Sequence, residues 1–337
     1  MKLSIIIPAY NVGNYIETCI TSCYNQDLQL HEFEIILIND GSTDDTEKKV
    51  LQITEKHSNI LLKSQKNSGL GASRNLGVDL SKGKYIYFLD GDDYIARNTL
   101  ATLITLIEKH SLDVIGFKSK NVTDSNQVDS KHTNKDIEVD NIYNGIDFMA
   151  TYNYMPEVWW YITKRSFYLD NKFSFYNRKF LQDSYFTPTL ISKAQRIARV
   201  DYDVYRYRKS INSITRKKSM EHVKTHMEDM CFAIHKLGEL KKDLISEGIT
   251  NKKVFQRIDV KQQHYAFILI SRFVKTNLNI SMLKEILSDL KLIGAYPLNK
   301  FLSTSDYKSK LYQILTFVYN RKWLLFPSIK IFRLLKR

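Results

Sequence analysis

The sequence predicts an α/β protein. The expected fold is a Rossmann-like, mostly parallel sheet with helices on both faces, followed by a largely helical C-terminal region. Three observations predict it. Short β-branched runs alternate with helical patterns through the first third of the 337 residues. The main runs open into loops rich in Pro, Asn, Asp or Gly, as strands of such a sheet do at their carboxyl edge. From Met220 onward the apolar spacing is that of helices.

The elements follow in order. Leu3–Ile7 is a β-branched run stopped by Pro8. Asn11 then caps a helix whose apolar positions are Val12, Ile16, Cys19, Ile20 and Cys23. Glu34–Ile38 reads as a second buried strand. Thr43–Lys56 reads as a helix with acidic residues in its first turn, where the helix dipole favours them. Ile60–Lys63 is a third strand, Gly71–Leu80 a helix, Tyr85–Leu89 a fourth strand, Asn98–His110 a helix and Val114–Lys118 a fifth strand. Residues 119–140 are polar and read as an exposed excursion with a hairpin near Ile137–Ile142. Residues 145–218 are rich in aromatics, and Ala198–Tyr207 alternates as a strand does. Helices are expected over roughly 219–247, 251–277 and 281–293. This divides the chain into 1–118, 119–218 and a helical region 219–337.

Composition narrows the function. The 43% hydrophobic and 26% charged content is that of a globular protein able to bury a real core. The net charge of +14 is unevenly spread: residues 1–115 carry 11 Lys+Arg against 15 Asp+Glu, and the remainder 39 against 21. A basic second part points to a polyanion or an anionic membrane surface. No recognised nucleic-acid motif accompanies the charge, and no nucleic-acid partner is expected. Three cysteines, Cys19, Cys23 and Cys231, are too few and too odd in number for a disulfide scaffold; Cys19 and Cys23 read as small core residues. Leu3–Ala9 is too short for a secretory signal and reads as a strand. No uncharged run reaches the ~20 residues of a spanning helix.

Chemistry concentrates in the loops after the strands. In Tyr85–Asp93 an apolar run ends in Asp90, Gly91, Asp92 and Asp93. Burying so many like charges is costly, and at a strand's carboxyl end they face a ligand crevice. Asp90 and Asp92 bracket one glycine, a geometry suited to a hard divalent cation with a diphosphate on its far side. The simpler reading of Asp-Gly-Asp is a turn and a helix cap. Gly69-Leu70-Gly71 has Arg74 where a dinucleotide fingerprint needs its third glycine, and it follows the third strand instead of the first. Gly83-Lys84 is followed by Tyr85, so no phosphate-binding Walker loop is present. His222 and His226 have metal-ligand spacing, which surface helix faces share.

Four loops then line up: Ile7-Pro8-Ala9-Tyr10-Asn11; Ile38-Asn39-Asp40-Gly41-Ser42-Thr43-Asp44; Asn67 to Gly77; and Leu89-Asp90-Gly91-Asp92-Asp93. In this order and spacing the chain closely resembles glycosyltransferase family 2, of the GT-A fold and the bacterial surface-polysaccharide type. The resemblance is strong over residues 1–120 and continues more weakly to 216. It implies that Asp40 recognises the edge of uracil or another base, that Pro8, Tyr10 and Asn11 line the base pocket, and that Asn67 and Gly91 belong to the donor site. It implies Asp92 as the main ligand of Mn²⁺ or Mg²⁺, with Asp90 reaching metal and ribose. Arg74 would steady the nucleotide phosphates or the Asp cluster. Asp183 falls at the position of the family's general base, with Gln182 where the family has Glu. Trp159 and Trp160 resemble its acceptor-side aromatic wall or are core residues. Arg208 and Ser213 are candidate diphosphate contacts.

The expected activity is a metal-dependent, inverting transfer of a hexose from a nucleotide sugar, such as a UDP-hexose, to a lipid-linked glycan acceptor. The expected place is cytoplasmic and peripheral, on the inner face of the cell membrane. There the basic, apolar tail 300–337, with nine Lys+Arg and one acid, would meet the anionic surface. The alternatives are a nucleotidylyltransferase, which would want a basic Gly-rich loop after the first strand, and a silent nucleotide-sugar-binding protein of the same fold.

Overall fold

The computed structural model describes residues 1–123, 127–131, 137–177, 179–209, 220–300 and 309–335, without the side chains of Met220 and His222. The chain forms two compact units, Met1–Asn212 and Ser213–Arg337.

The first unit is built on one eight-stranded sheet in the order β3-β2-β1-β4-β7-β6-β8-β5. Its first half comprises β1 (Leu3–Ala9), α1 (Ile16–Tyr24), β2 (Phe33–Asn39), α2 (Thr46–Thr54), β3 (Ile60–Ser64), α3 (Leu70–Leu80) and β4 (Tyr85–Phe88). β1 runs parallel to β2 and β4, and β2 runs parallel to β3. Every residue of β1, β2 and β4 is buried, so both faces of this half are covered, as parallel strands require. The β-branched Ile5, Ile6 and Ile7 fill this layer. Cys19 and Cys23 are free and buried in the core face of α1, and burial pushes both thiols up.

The second half comprises β5 (Tyr94–Ile95), α4 (Leu100–Lys109), β6 (Val114–Val122), α5 (Gly145–Thr151), β7 (Tyr161–Lys164), α6 (Arg165–Asp170), α7 (Asp183–Lys193) and β8 (Ile197–Arg208). Here the sheet is mixed. β7 is antiparallel to β4 and β6, β5 is antiparallel to β8, and β6 pairs parallel with β8 across two register shifts. β6 crosses residue 118, so one sheet runs through both expected halves. The hairpin expected near Ile137–Ile142 is absent among the described residues. Instead Tyr143 makes one isolated antiparallel bridge to Ile197. β7 was not expected from the sequence.

The second unit is helical, with α8 (Met220–Ser246), α9 (Lys252–Val274), α10 (Ile280–Leu292), α11 (Lys310–Tyr319) and α12 (Lys322–Leu335). α9 packs against the other four. Asn251 and Asn279 cap α9 and α10 by accepting Lys253 and Ser281 N–H, as Asn does at helix starts. Among the described residues no helix is long and apolar enough to cross a membrane.

Candidate active site

The carboxyl ends of β1 and β2 are joined by short polar groups. Asn11 holds φ +53°, which Asn tolerates better than most side chains. Its Oδ1 accepts Thr43 N–H at 2.7 Å, and its own N–H donates to the Ser42 hydroxyl at 3.0 Å. Asp44 accepts N–H from Gly13 and Thr46, each at 3.0 Å. Pro8 lies within β1 beside Ile38, and Tyr10 just beyond is exposed. The two loops therefore form one shelf. Asp40 is buried, and its carboxylate accepts from Gln65 Nε2 at 2.7 Å and from the N–H groups of Ser68 and Gly69 at 2.8 Å each. It thus clamps the turn that leads into α3, while its oxygens keep spare acceptor capacity toward a ligand. Gly41 holds φ +70°, and a Cβ there would lie 2.9 Å from the Asn67 nitrogen. Asn67 is in this way seated against the shelf.

Beyond β4 stand Asp90, Asp92 and Asp93. Gly91 sits in close approach and not at an unusual φ: a Cβ would lie 3.1 Å from the Pro8 carbonyl oxygen, a tight contact. Arg74, on α3, is fully buried and connects this loop to α7. Its Nη2 donates to Asp90 at 3.0 Å and its Nη1 to Asp183 at 2.6 Å. Phe175 and Phe88 lie under the guanidinium at 5.2 and 5.9 Å. Burial works against the Arg74 charge, but Asp183 and Asp90 hold its pKa above the ordinary value. Of the two roles foreseen for Arg74, the geometry corresponds to steadying the Asp cluster; both of its terminal nitrogens engage carboxylates.

The carboxyls respond to the same surroundings. Burial pushes Asp183 up to about 6, against the pull of Arg74. Asp92 is also pushed up to about 6, by burial and then by neighbouring Asp90. Asp93 is pushed up to about 8, by burial and then by Asp92 and Asp90. Asp93 is buried and accepts the Tyr205 hydroxyl at 2.6 Å and the Arg208 N–H at 2.7 Å. It therefore ties the end of β8 to the carboxylate loop. The signal available in the sequence was a third carboxylate directly after Asp92 at the end of an apolar strand.

Asp183 opens α7 and is aimed by a second set of contacts to α3. Asn75 donates to the Phe175 carbonyl and accepts Phe175 N–H, both at 2.8 Å. The Gln182 amide donates to the Tyr176 carbonyl at 3.2 Å and accepts Gly71 N–H at 3.1 Å, in the one orientation that satisfies both. Leu181 holds φ +58° between these anchors, a conformation that costs a leucine about 1–2 kcal/mol.

Arg208, at the end of β8, lies over the rings of Tyr15 and Tyr94 at 4.8 and 5.4 Å. Its Nε and Nη2 are buried with no hydrogen-bond partner among the described residues. Buried guanidinium donors without acceptors are costly, and they suit an anionic ligand. Ser213 lies outside the described residues. Of the two readings of Trp160, an acceptor wall or a core residue, its burial corresponds to the core. Its indole is 1% exposed, donates to the Met155 carbonyl at 3.0 Å and fills the space over Gly116, so no face is open to a sugar. Trp159 is buried too, stacked on Tyr205 at 4.2 Å.

The carboxylate loop has the oxygen donors a divalent cation takes. Asp90 and Asp92 are hard oxygen ligands, and burial together with the neighbouring Asp90 disfavours ionisation of Asp92. They fit such an ion. Among the described residues no group of three or more His, Cys, Asp or Glu side chains is placed to hold a metal, so an ion here would draw further ligands from the substrate. Of the His222–His226 spacing, His226 is buried and the His222 side chain lies outside the described residues.

Comparison with known proteins follows the same residues. Residues 4–186 match the family model described as glycosyl transferase family 2. The protein described as "Uncharacterized glycosyltransferase EpsJ" of Bacillus subtilis is 30% identical over 63% of this chain and 62% of its own length. A poly(ribitol-phosphate) beta-glucosyltransferase of Bacillus spizizenii is 31% identical over 61% of this chain and 32% of its own length. The chain thus spans less than two thirds of the length of these relatives. Among solved structures, S. aureus TarS 1–349 in complex with UDP-GlcNAc superposes with TM-score 0.67 over 99% of this chain and 91% of that one, at 21% identity. A mannosyltransferase of Pyrobaculum calidifontis in complex with GDP-Man and Mn²⁺ gives TM-score 0.52 over 95% of this chain and 86% of that one, at 14% identity. These structural likenesses establish the GT-A type of fold. With the family match spanning more than half the chain, the sheet, its loops and the matched residues lead to one assignment: this chain belongs to glycosyl transferase family 2.

Proposed function

We propose that the protein is an inverting glycosyltransferase that moves a hexose from a nucleotide sugar, most simply a UDP-hexose, to a lipid-linked glycan used in a surface polysaccharide. The observation that carries the reading is the Arg74 bridge. One buried guanidinium holds Asp90, on the donor loop, and Asp183, on α7, in a single network. A donor carboxylate and a general base held to one fixed group are what an in-line displacement needs.

In this reading the shelf of Pro8, Tyr10, Asn11 and Asp40 receives the base, and Asn67 and Gly91 border the donor. Arg208, with its unpaired donors, faces the diphosphate. Asp92 and Asp90 would hold Mn²⁺ or Mg²⁺. That ion supplies charge neutralisation to the departing diphosphate. Asp183, largely ionised at neutral pH, takes the acceptor hydroxyl proton. The hydroxyl oxygen forms its bond to the anomeric carbon from the face opposite the diphosphate, and the bond from that carbon to the diphosphate oxygen breaks with its electron pair. Arg74 keeps Asp183 oriented throughout.

The named relatives that act on poly(ribitol-phosphate) favour a polymeric cell-surface acceptor. A lipid-linked acceptor places the enzyme at the anionic inner face of a membrane.

The test is thermal stabilisation by UDP-, GDP- and dTDP-sugars with and without Mn²⁺, in wild type and in Asp92→Asn. Stabilisation by one nucleotide class, dependent on metal and lost in the variant, is expected. A pH series at saturating donor adds the base: kcat should fall as pH drops through about 6, where Asp183 takes its proton. Full donor binding by Asp92→Asn would remove the metal assignment, and undiminished transfer by Asp183→Asn would move the base elsewhere.

A further inference from the structure

The two C-terminal helices present apolar side chains away from their packed faces. In α11, Thr316 and Tyr319 face the unit, and the Tyr319 ring packs 5.3 Å from Phe267 of α9. Leu311, Ile314 and Phe317 lie on the other side and are exposed. In α12, Leu325 and Ile329 are buried, while Trp323, Ile331 and Leu334 share the opposite side of the helix. Trp323 is 71% and Leu334 68% exposed, more than isolated surface residues explain.

The charges on these helices have one sign. Residues 309–335 carry five Lys+Arg and no Asp or Glu. Arg333 is spent internally: its Nη2 donates to the Leu278 carbonyl at 2.9 Å, and its guanidinium lies over Phe273 at 5.6 Å. That contact seats α12 on its own unit. Arg321 lies in the link between the helices, stacked 3.6 Å from the centre of the exposed Phe317 ring. Lys310, Lys322 and Lys330 are exposed. Lys330 sits within the apolar side itself, where its long stem can lie along the hydrocarbon and its ammonium reach headgroups.

We infer that the exposed side of α11 and α12 is a docking surface for an anionic lipid bilayer, lying in the interface without spanning it. Large aliphatic and aromatic side chains supply insertion, Trp323 suits the headgroup level, and cations on two helices that themselves carry no acid favour phosphate-bearing lipid. A protein partner would be matched by donors and acceptors of both kinds; the exposed residues of these helices are mainly hydrocarbon and positive charge, with Gln313 the exposed neutral amide. The inference deepens the membrane location in the proposed function and rests on that reading for its purpose.

The experiment is flotation of the full chain with phosphatidylglycerol-containing and with pure phosphatidylcholine vesicles. Each protein is also scored for donor stabilisation and, by light scattering, for mass. Wild type should float with the anionic vesicles only, less so as salt rises. Lys322→Gln/Lys330→Gln should bind about 25-fold more weakly, about fivefold per charge. Trp323→Ser/Ile331→Ser/Leu334→Ser should lose at least about tenfold. Both variants should keep the donor response, and Asp92→Asn should float like wild type, so a failed donor site and a failed surface give different results. Should the triple variant not fold, the double lysine variant keeps the test decisive. Equal flotation of wild type and lysine variant, or no flotation at all, overturns the inference. So does a wild-type dimer that the triple variant dissociates without any vesicle binding, which assigns the surface to a second copy.

Discussion

The two halves of the sheet reach the same site by different means. In β3-β2-β1-β4 every pairing is parallel, so all four strands end at one edge and their loops meet there. Asn11, Asp40, Asp44 and Asp90 come to that edge by strand direction alone. In β7-β6-β8-β5 the pairing is mixed, and chemistry arrives through side chains that reach across. Asp183 is held by Arg74 from 109 residues away, and Arg208 is placed by its backbone bond to Asp93, 115 residues away. The first half shows that topology positions loops. The second shows that a buried charge network can position a helix.

The largest expected effect breaks that network. Arg74→Met leaves Asp90 and Asp183 facing one another's environment without a counter-charge, and removing one partner of a buried pair costs about 3–5 kcal/mol. Urea unfolding should show that loss. Combining it with Asp90→Asn and Asp183→Asn should recover most of the stability while turnover stays lost. A triple variant as unstable as Arg74→Met would mean that Arg74 matters for packing on Phe175 and Phe88, not for charge.

This contrast also explains what could be read from the sequence. The parallel half was legible because its strands are continuous β-branched runs and its loops carry the polar residues. The mixed half was not. Trp159 and Trp160 stayed open between an aromatic wall and core residues because they precede a four-residue antiparallel strand, too short to give a periodic signal. Gly116, in the middle of an apolar strand, was the one hint: a glycine there marks close approach, and Trp160 occupies the space. The Arg74–Asp183 pairing was invisible for a different reason, since opposite charges at that separation announce nothing until the fold brings them together. Asp93 lost its meaning in the same way, because Tyr205 and Arg208 lie on the last strand.

An intermediate effect sharpens the comparison from the donor side. Asp92 is raised to about 6 in the fold against an ordinary 3.8. The folded protein therefore holds this proton more tightly than the unfolded chain does. The stability it contributes is fully present below the ordinary carboxylate range and is lost as pH rises through about 6. Without metal or donor, Asp92→Asn should then be more stable than wild type at neutral pH, on the order of 2 kcal/mol. The difference should close as the pH falls toward 4, the ordinary carboxylate value. A variant no more stable than wild type at neutral pH would show that the loop relieves this charge in another way.

The smallest effect concerns Gln182, which the resemblance set where a Glu would precede Asp183. Its amide needs both of its ends: one accepts Gly71 N–H and the other donates to the Tyr176 carbonyl. A carboxylate would keep the first contact and set an acceptor against an acceptor at the second. Gln182→Glu should therefore cost about 1–3 kcal/mol at neutral pH, the penalty of a buried polar group left unmatched. Protonating the new carboxyl restores a donor, so its folded pKa should be raised. The loss should be absent below the unfolded value and appear as pH rises through the folded one. Because Gln182 precedes Asp183 directly, kcat should fall with KM for the donor unchanged. Denaturation at two pH values and donor titration together decide it. A Glu variant as stable and as active as wild type would show that this residue only fills space, and that Arg74 alone aims the base.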